Sequence, residues 1–243
     1  MTLAAFRSIL RKILKRMGPD NVKEIFLIRH GRQDSRLCNV DVPLDETGRE
    51  QARLLGRRLE HFGLEKLYSS ELLRAKETAE IINQYVHLPY EILAGIQEIN
   101  FGGLTGKSEE EIRSLYADFR EERSRHQQDI PYPDGGESGE DVVRRVMPVL
   151  KEICQRKENR VGIVTHGGVI RSVLAFAVQT SQSNKLKFGI DLENTSLTEV
   201  LYDAEREFFF LERFNDYAHI EEHPELLRRA WVVSLEKKGE NHV

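Results

Sequence analysis

Two histidines in this sequence each close a short apolar run: His30 in Leu27-Ile28-Arg29-His30-Gly31, and His166 in Val161-Gly162-Ile163-Val164-Thr165-His166-Gly167-Gly168. Both runs have the length and composition of buried strands, so both imidazoles fall at strand ends, and Arg29 adds a guanidinium beside the first. Arg74 falls about one turn into the helix that follows another strand, ending near Tyr68-Ser69. In an open α/β sheet ligands bind beyond the carboxyl ends of the strands, which is where all four side chains belong. Two arginines and two histidines make a poor metal site, because guanidinium repels a cation and offers no lone pair. They suit a phosphate group, since arginine forks match its oxygens and histidine either donates to an oxygen or attacks phosphorus.

An attacking imidazole needs a bare nitrogen, and neighbouring arginines favour the neutral ring by like-charge repulsion. The departing oxygen then needs a proton. Glu98, in the glycine-rich stretch Gln97-Glu98-Ile99-Asn100-Phe101-Gly102-Gly103, is the best-placed candidate, being a carboxylate on a loop between regular elements. Glu91 and the run Glu109-Glu110-Glu111 are competing carboxylates nearby, but the run reads as the solvated first turn of a helix.

The elements that must position these groups alternate between short β-rich runs and longer helical patterns, the mark of an α/β domain with a mainly parallel sheet. Strands are read at Glu24 to Ile28, Leu64 to Tyr68 and Val161 to Val164. Ser196 to Tyr202 and Glu207 to Phe214 read as an antiparallel hairpin at the sheet edge. Helices are expected after Asp45 (Ala52, Leu55 and Leu59 inward), after Ser69 or Ser70 as N-cap, after Ser108 with capping-box spacing, from Asp141, and over Val169 to Val178. Pro148 should kink the Asp141 helix or stop it early.

Taken together, these motifs resemble the histidine phosphatase superfamily, in its phosphoglycerate mutase-like branch, branch 1. The likeness runs from about Val22 to Ile220. It rests on Leu27 to Gly31, Asp41 to Gly48 with Gln51-Ala52, Tyr68-Ser69-Ser70 with Arg74-Ala75 and Thr78-Ala79, Glu98 with Phe101-Gly102, Gly136-Glu137-Ser138, and Thr165 to Gly168. Asn194-Thr195-Ser196 and Asn215-Asp216 with His219 resemble the family's closing strands. The resemblance implies a three-layer α/β/α fold and a phosphatase acting through a phosphohistidine on His30. In it Arg29, Arg74 and His166 hold the phosphoryl oxygens, Glu98 serves as acid and then base, and neither cofactor nor metal takes part. Gly167, Arg32 and Gln33 complete the candidate substrate-binding set.

The chain departs from the family pattern at Arg32-Gln33, where Glu-Thr or Glu-Ser is common, and at Arg36, where asparagine is usual. Arg32 and Arg36 read either as exposed loop charges or as positive potential at the pocket mouth. Ser138 reads either as an N-cap or as a hydroxyl near the phosphate. The stretches from His30 to Asp41 and from Glu98 to His166 are shorter than in true mutases, which favours hydrolysis over mutase activity. A non-catalytic phosphate- or phosphoprotein-binding module is the other alternative, opposed by the joint presence of Arg29, His30, Arg74, Glu98 and His166.

At 243 residues and 40% hydrophobic content the chain supports one sizeable core. The net charge of −4 gives no global attraction to nucleic acid, so partners are expected to be small phosphate esters or phosphoproteins. Cys38 and Cys154 are too few and too distant for a disulfide framework, pointing to a reducing, cytoplasmic setting. Residues 1–20 hold a basic amphipathic helix, with Phe6, Ile9, Leu10, Ile13, Leu14 and Met17 on one face. It reads as a packing helix or extension, with weak membrane-surface contact through residues 1–17 as the alternative. The phosphatase domain is placed at 21–221, and 222–243 forms an extension with a helical fragment around Pro224 to Ala230.

Overall fold

The computed structural model describes residues 22–189 and 191–228; the basic helix expected in residues 1–20 lies outside them. Among the described residues, six strands form one sheet: β1 (Val22–Arg29), β2 (Lys66–Ser70), β3 (Tyr90–Leu93), β4 (Arg160–Thr165), β5 (Leu197–Asp203) and β6 (Phe208–Asp216). Their order is β3-β2-β4-β1-β5-β6. The first four run parallel, while β5 and β6 are antiparallel, the hairpin expected at the sheet edge.

β1 lies between β4 and β5 and is covered on both faces, which is why Ile25-Phe26-Leu27-Ile28 is an unbroken apolar run. Ile25 and Leu27 pack with the inward faces of α5 (Gly139–Gln155) and α6 (Gly167–Ala177). Phe26 and Ile28 pack on the opposite side with α1 (Glu46–Leu59) and α2 (Leu73–Val86). The result is the three-layer α/β/α arrangement. Two further short helices, α3 (Glu109–Leu115) and α4 (Ala117–Ser124), precede α5.

Side-chain caps define three of the six α-helix starts among the described residues. Asp45 accepts the Gly48 amide at 2.7 Å ahead of α1, and Ser108 with Glu111 and Ser138 with Asp141 form capping boxes for α3 and α5. Two expectations need correction. Ser69 and Ser70 are the last residues of β2, two positions beyond where the strand was read, and do not cap α2; Leu72 occupies that N-cap without a side-chain bond. Their hydroxyls are satisfied across the sheet, Ser69 with the Tyr90 hydroxyl at 2.6 Å and Ser70 with His166 Nε2 at 2.6 Å, which lets small polar residues lie fully buried in a strand. Pro148 does not stop α5, which continues to Gln155. Of the fragment around Pro224 to Ala230, Pro224–Leu226 is a 3₁₀ turn, and residues past 228 lie outside the described set.

Candidate active site

Strand register brings the two histidines together. Arg29 and Thr165 are directly paired in the parallel β1–β4 ladder, and the His30 amide donates to the Thr165 carbonyl at 3.0 Å. His30 and His166, each one residue further on, therefore emerge at the same level, with ring centroids 5.0 Å apart. Ser70, at the end of β2 on the other side of β4, reaches His166 Nε2. Arg74 comes from the first turn of α2, is 1% exposed, and points Nε at His30 Nε2 across 3.3 Å. Its other two nitrogens donate to the Val40 carbonyl at 3.1 Å and to Asn39 Oδ1 at 2.9 Å.

The hydrogen bonds select a tautomer for His30. Nδ1 lies 2.7 Å from the Gly31 carbonyl, which can only accept, so Nδ1 carries the proton and Nε2 keeps its lone pair. Burial, then the charges of Arg74 and Arg29, hold His30 well below the ordinary histidine range; burial and His30 itself do the same to His166. Both rings are neutral at neutral pH. His166 Nδ1 and Arg29 Nε are buried without a hydrogen-bond partner, while Arg29 Nη1 donates to the Leu192 carbonyl. Both orphaned nitrogens belong to residues next to His30, Arg29 in the chain and His166 through ring centroids 5.0 Å apart, and buried polar atoms left without a partner are uncommon.

Backbone closeness at the site is set by glycine. A Cβ on Gly31 would come within 2.6 Å of the Gly48 carbonyl oxygen, and one on Gly168 within 2.5 Å of Glu98 Oε1. Absence of a side chain at Gly168 thus lets Glu98 approach the N-terminus of α6. Glu98 Oε1 accepts the Gly168 amide at 3.0 Å and the Ile99 amide at 2.9 Å, which leaves Oε2 outside those bonds.

Arg29, His30, Arg74 and Glu98 line one cavity of about 780 Å³. Arg32 and Gln33 are at its wall but are bonded elsewhere. Arg32 reaches Asp45 Oδ2 at 2.5 Å and the Thr47 hydroxyl, and Gln33 donates to the Ser35 and Leu37 carbonyls at 3.1 and 3.4 Å. Gly167 opens α6 next to Arg29, and Arg36 lines the cavity mouth. Ser138 is occupied as the α5 cap, donating to Asp141 Oδ2 at 2.7 Å and accepting the Asp141 amide at 3.2 Å, so the N-cap reading holds. His219 bonds Thr195 Oγ1 at 2.9 Å, and burial pushes it down to about 3, making it a neutral structural residue.

Three contributors, Asn39, Arg145 and Arg228, escape the sequence reading, and Asn194 enters it only as part of a closing-strand motif with no role at the site. Asn39 holds Arg74, and its positive φ of 47° marks the kind of loop asparagine that could have been noticed. Asn194 donates to the His30 carbonyl at 2.8 Å. Arg145 on α5 fixes the Glu98 loop by donating to the Gly95 and Glu98 carbonyls at 2.8 and 3.0 Å, with Glu137 paired to it at 2.7 Å. Arg228, in the segment after β6, lines the same cavity, close enough to Arg29 for the two positive charges to oppose each other. Among the described residues no group of three or more His, Cys, Asp or Glu side chains is arranged to hold a metal ion, and no helix is long and apolar enough to cross a membrane.

An α/β sheet with two histidines and two arginines at one strand edge, facing a carboxylate, defines a phosphoric monoester hydrolase. The chain belongs to the histidine phosphatase superfamily (branch 1), whose sequence model matches residues 25–217. It is 35% identical over 156 residues to the uncharacterized phosphatase PhoE of Bacillus subtilis, covering 62% of this chain and 75% of that one. It is 34% identical to the metal-independent phosphoserine phosphatase of Arabidopsis thaliana, covering 68% and 73%. Bacillus stearothermophilus YhfR superposes with a TM-score of 0.72 at 31% identity, over 82% of this chain and all of that one. A mycobacterial glucosyl-3-phosphoglycerate phosphatase shares the fold, with a TM-score of 0.71 at 24% identity over 80% and 99%.

Proposed function

We propose that the protein hydrolyses phosphate monoesters without a metal ion, through a phosphohistidine on His30, with Glu98 as the acid and base. The observation that carries this reading is the His30 tautomer: Nδ1 is spent on the Gly31 carbonyl, so Nε2 keeps its lone pair and faces the Arg74 guanidinium, whose Nε lies 3.3 Å away.

In the first step His30 Nε2 attacks phosphorus and the P–O bond to the alcohol breaks, while Glu98 in its acid form gives a proton to the departing oxygen. In the second, the Glu98 carboxylate takes a proton from water, whose oxygen attacks the phosphohistidine. The P–N bond then breaks, and inorganic phosphate leaves. Arg29, Arg74 and His166 are the groups for the three phosphoryl oxygens. Their charge and hydrogen bonds are fixed before the ester arrives, which is where most of the acceleration in phosphoryl transfer originates. On binding, Arg74 Nε exchanges the imidazole for a phosphoryl oxygen, and His166 uses Nδ1 while Ser70 holds its Nε2.

The test uses an ester with a radiolabelled phosphoryl group and EDTA throughout. The wild-type chain turns over and carries an acid-labile, base-stable label, whereas His30→Ala carries none. Full turnover by that variant, or an absolute need for a divalent cation, would overturn the reading.

A further inference from the structure

The sequence model of the family ends at residue 217, yet the cavity does not: Glu225 and Arg228 also line it. The segment that brings them there is firmly attached. Gln51 Nε2, on α1, donates to the Leu226 carbonyl at 2.7 Å, Leu226 itself is buried, and the Arg228 amide donates to Glu193 Oε1 at 2.9 Å. Glu193 immediately precedes Asn194, which holds the His30 carbonyl. Arg228 is thereby tied to the same backbone that sets the nucleophile.

Its side chain is oddly underused for a residue so placed. Arg228 Nε is buried and makes no hydrogen bond. Its ion-pair partner, Asp191, lies 3.7 Å from that nitrogen, too far for a charge-assisted hydrogen bond, and is half-exposed. Near Arg228 are Arg29 and Arg171, whose positive charges oppose it, and Glu225 lines the same cavity. Arg171 is bonded to the Phe188 and Gly189 carbonyls at 3.1 and 2.9 Å. The phosphoryl group has its own set in Arg29, His30, Arg74 and His166, so a guanidinium with an unspent buried donor on the same cavity is a place for a second oxyanion.

We propose that Arg228 recognises a second anionic group, a carboxylate or a further phosphate, on the alcohol portion of the substrate. This rests on the phosphatase reading above and names its substrate class: small phosphate monoesters that carry another negative charge a few bonds from the ester oxygen. The guanidinium fork matches either oxyanion bidentately, and lysine in its place supplies charge without the fork.

The experiment compares kcat/KM of the full chain and of Arg228→Ala and Arg228→Lys on three esters. These are p-nitrophenyl phosphate, which lacks a second anion, O-phosphoserine, which adds a carboxylate, and fructose 1,6-bisphosphate, which adds a phosphate. Loss of a charge-assisted contact predicts a fall of about 10- to 100-fold for at least one two-anion ester in Arg228→Ala, seen mainly in KM. The fall for p-nitrophenyl phosphate should be several times smaller, and Arg228→Lys should recover part of the difference. Which two-anion ester suffers identifies the oxyanion. An equal fall on all three esters would make Arg228 a source of general positive potential and overturn the proposal, as would no fall on any. If the wild type hydrolyses none of the esters and takes up no label on His30, the phosphatase reading fails with it; a wild type that is active but whose Arg228 variants show no selectivity sinks the second-anion site alone.

Discussion

The groups on the floor of the cavity are placed by strand register, while those around its rim are placed by loops that bond to one another. Arg29 and His30 line the cavity at the end of β1, His166 follows the paired end of β4 but is fully buried against the His30 ring, and Arg74 packs onto His30 with almost no exposure. At the rim, Arg32 is held by Asp45, Gln33 by carbonyls of its own loop, and Arg228 by a carboxylate from the β5 approach. A ladder cannot slip one residue without turning every side chain to the other face, so the floor has one arrangement available to it. The rim carries no such constraint and can change its residues without disturbing the sheet. Chemistry is therefore expected to depend on the floor in an all-or-none way, and ester preference to depend on the rim by degrees.

The largest effect that would break this contrast is at His30. On the proposed phosphohistidine route, His30→Ala should reduce kcat on any ester by about 10⁴-fold or more, because it would remove the atom that forms the bond. Next comes Glu98, which reaches the floor from a loop. In kcat/KM, which reports the steps through phosphohistidine formation, Glu98→Gln should cost about 10²- to 10⁴-fold with alkyl phosphates and far less with p-nitrophenyl phosphate, whose leaving group needs no proton. Equal losses of kcat/KM on both would remove Glu98 from the acid role. Arg145 sharpens the comparison further, since it touches no cavity group except through the Glu98 loop. Arg145→Met should lower kcat by about 10- to 100-fold with little change in KM, as expected when a catalytic group drifts by an ångström. The loss should follow the same leaving-group trend as Glu98→Gln; a loss without that trend would mean that Arg145 acts on the fold alone.

The buried histidines give the floor a signature in pH. His30 and His166 lie well below the ordinary range and His219 near 3, burial being the first cause in each. An unfolded histidine titrates near 6.5, so below that pH the unfolded chain binds protons that the folded chain refuses. Their contribution to stability is complete above about pH 7 and is lost as the pH falls. Each adds a slope of up to about 1.4 kcal/mol per pH unit. Urea unfolding between pH 7 and 5.5, where carboxylates are largely silent, should show the decline, and His219→Gln should reduce its slope by an amount that approaches one proton at the acid end. A flat profile would contradict the burial of neutral rings.

The same division governs what the sequence reveals. Apolar runs such as Ile25 to Ile28 and Val161 to Val164 are legible because a central strand covered on both faces has no other way to be written, and the residues that end them inherit that clarity. β3, a four-residue edge strand behind Pro89, and α4, which buries no residue, left no periodic trace and were not read. Local propensity favours serine at helix starts, so Ser69 and Ser70 read as caps, whereas contacts far away in sequence, to Tyr90 and His166, settle them in the strand. Asn39, Asn194, Arg145 and Arg228 are polar residues whose significance lies wholly in what the fold sets beside them.

Ser138 supplies the smallest effect and the cleanest control on where the floor ends. Its hydroxyl and amide are both engaged with Asp141 at the start of α5, and the same turn supports Glu137, which grips Arg145. Ser138→Ala removes one side of the capping box and should cost about 1 kcal/mol of stability. Because α5 is 17 residues long and anchored by eight buried positions, the cap is not needed to form the helix, so kcat/KM at a temperature well below unfolding should stay within about twofold. A drop in kcat/KM of tenfold or more without a matching loss of stability would place the hydroxyl at the phosphate and extend the floor onto the α5 turn.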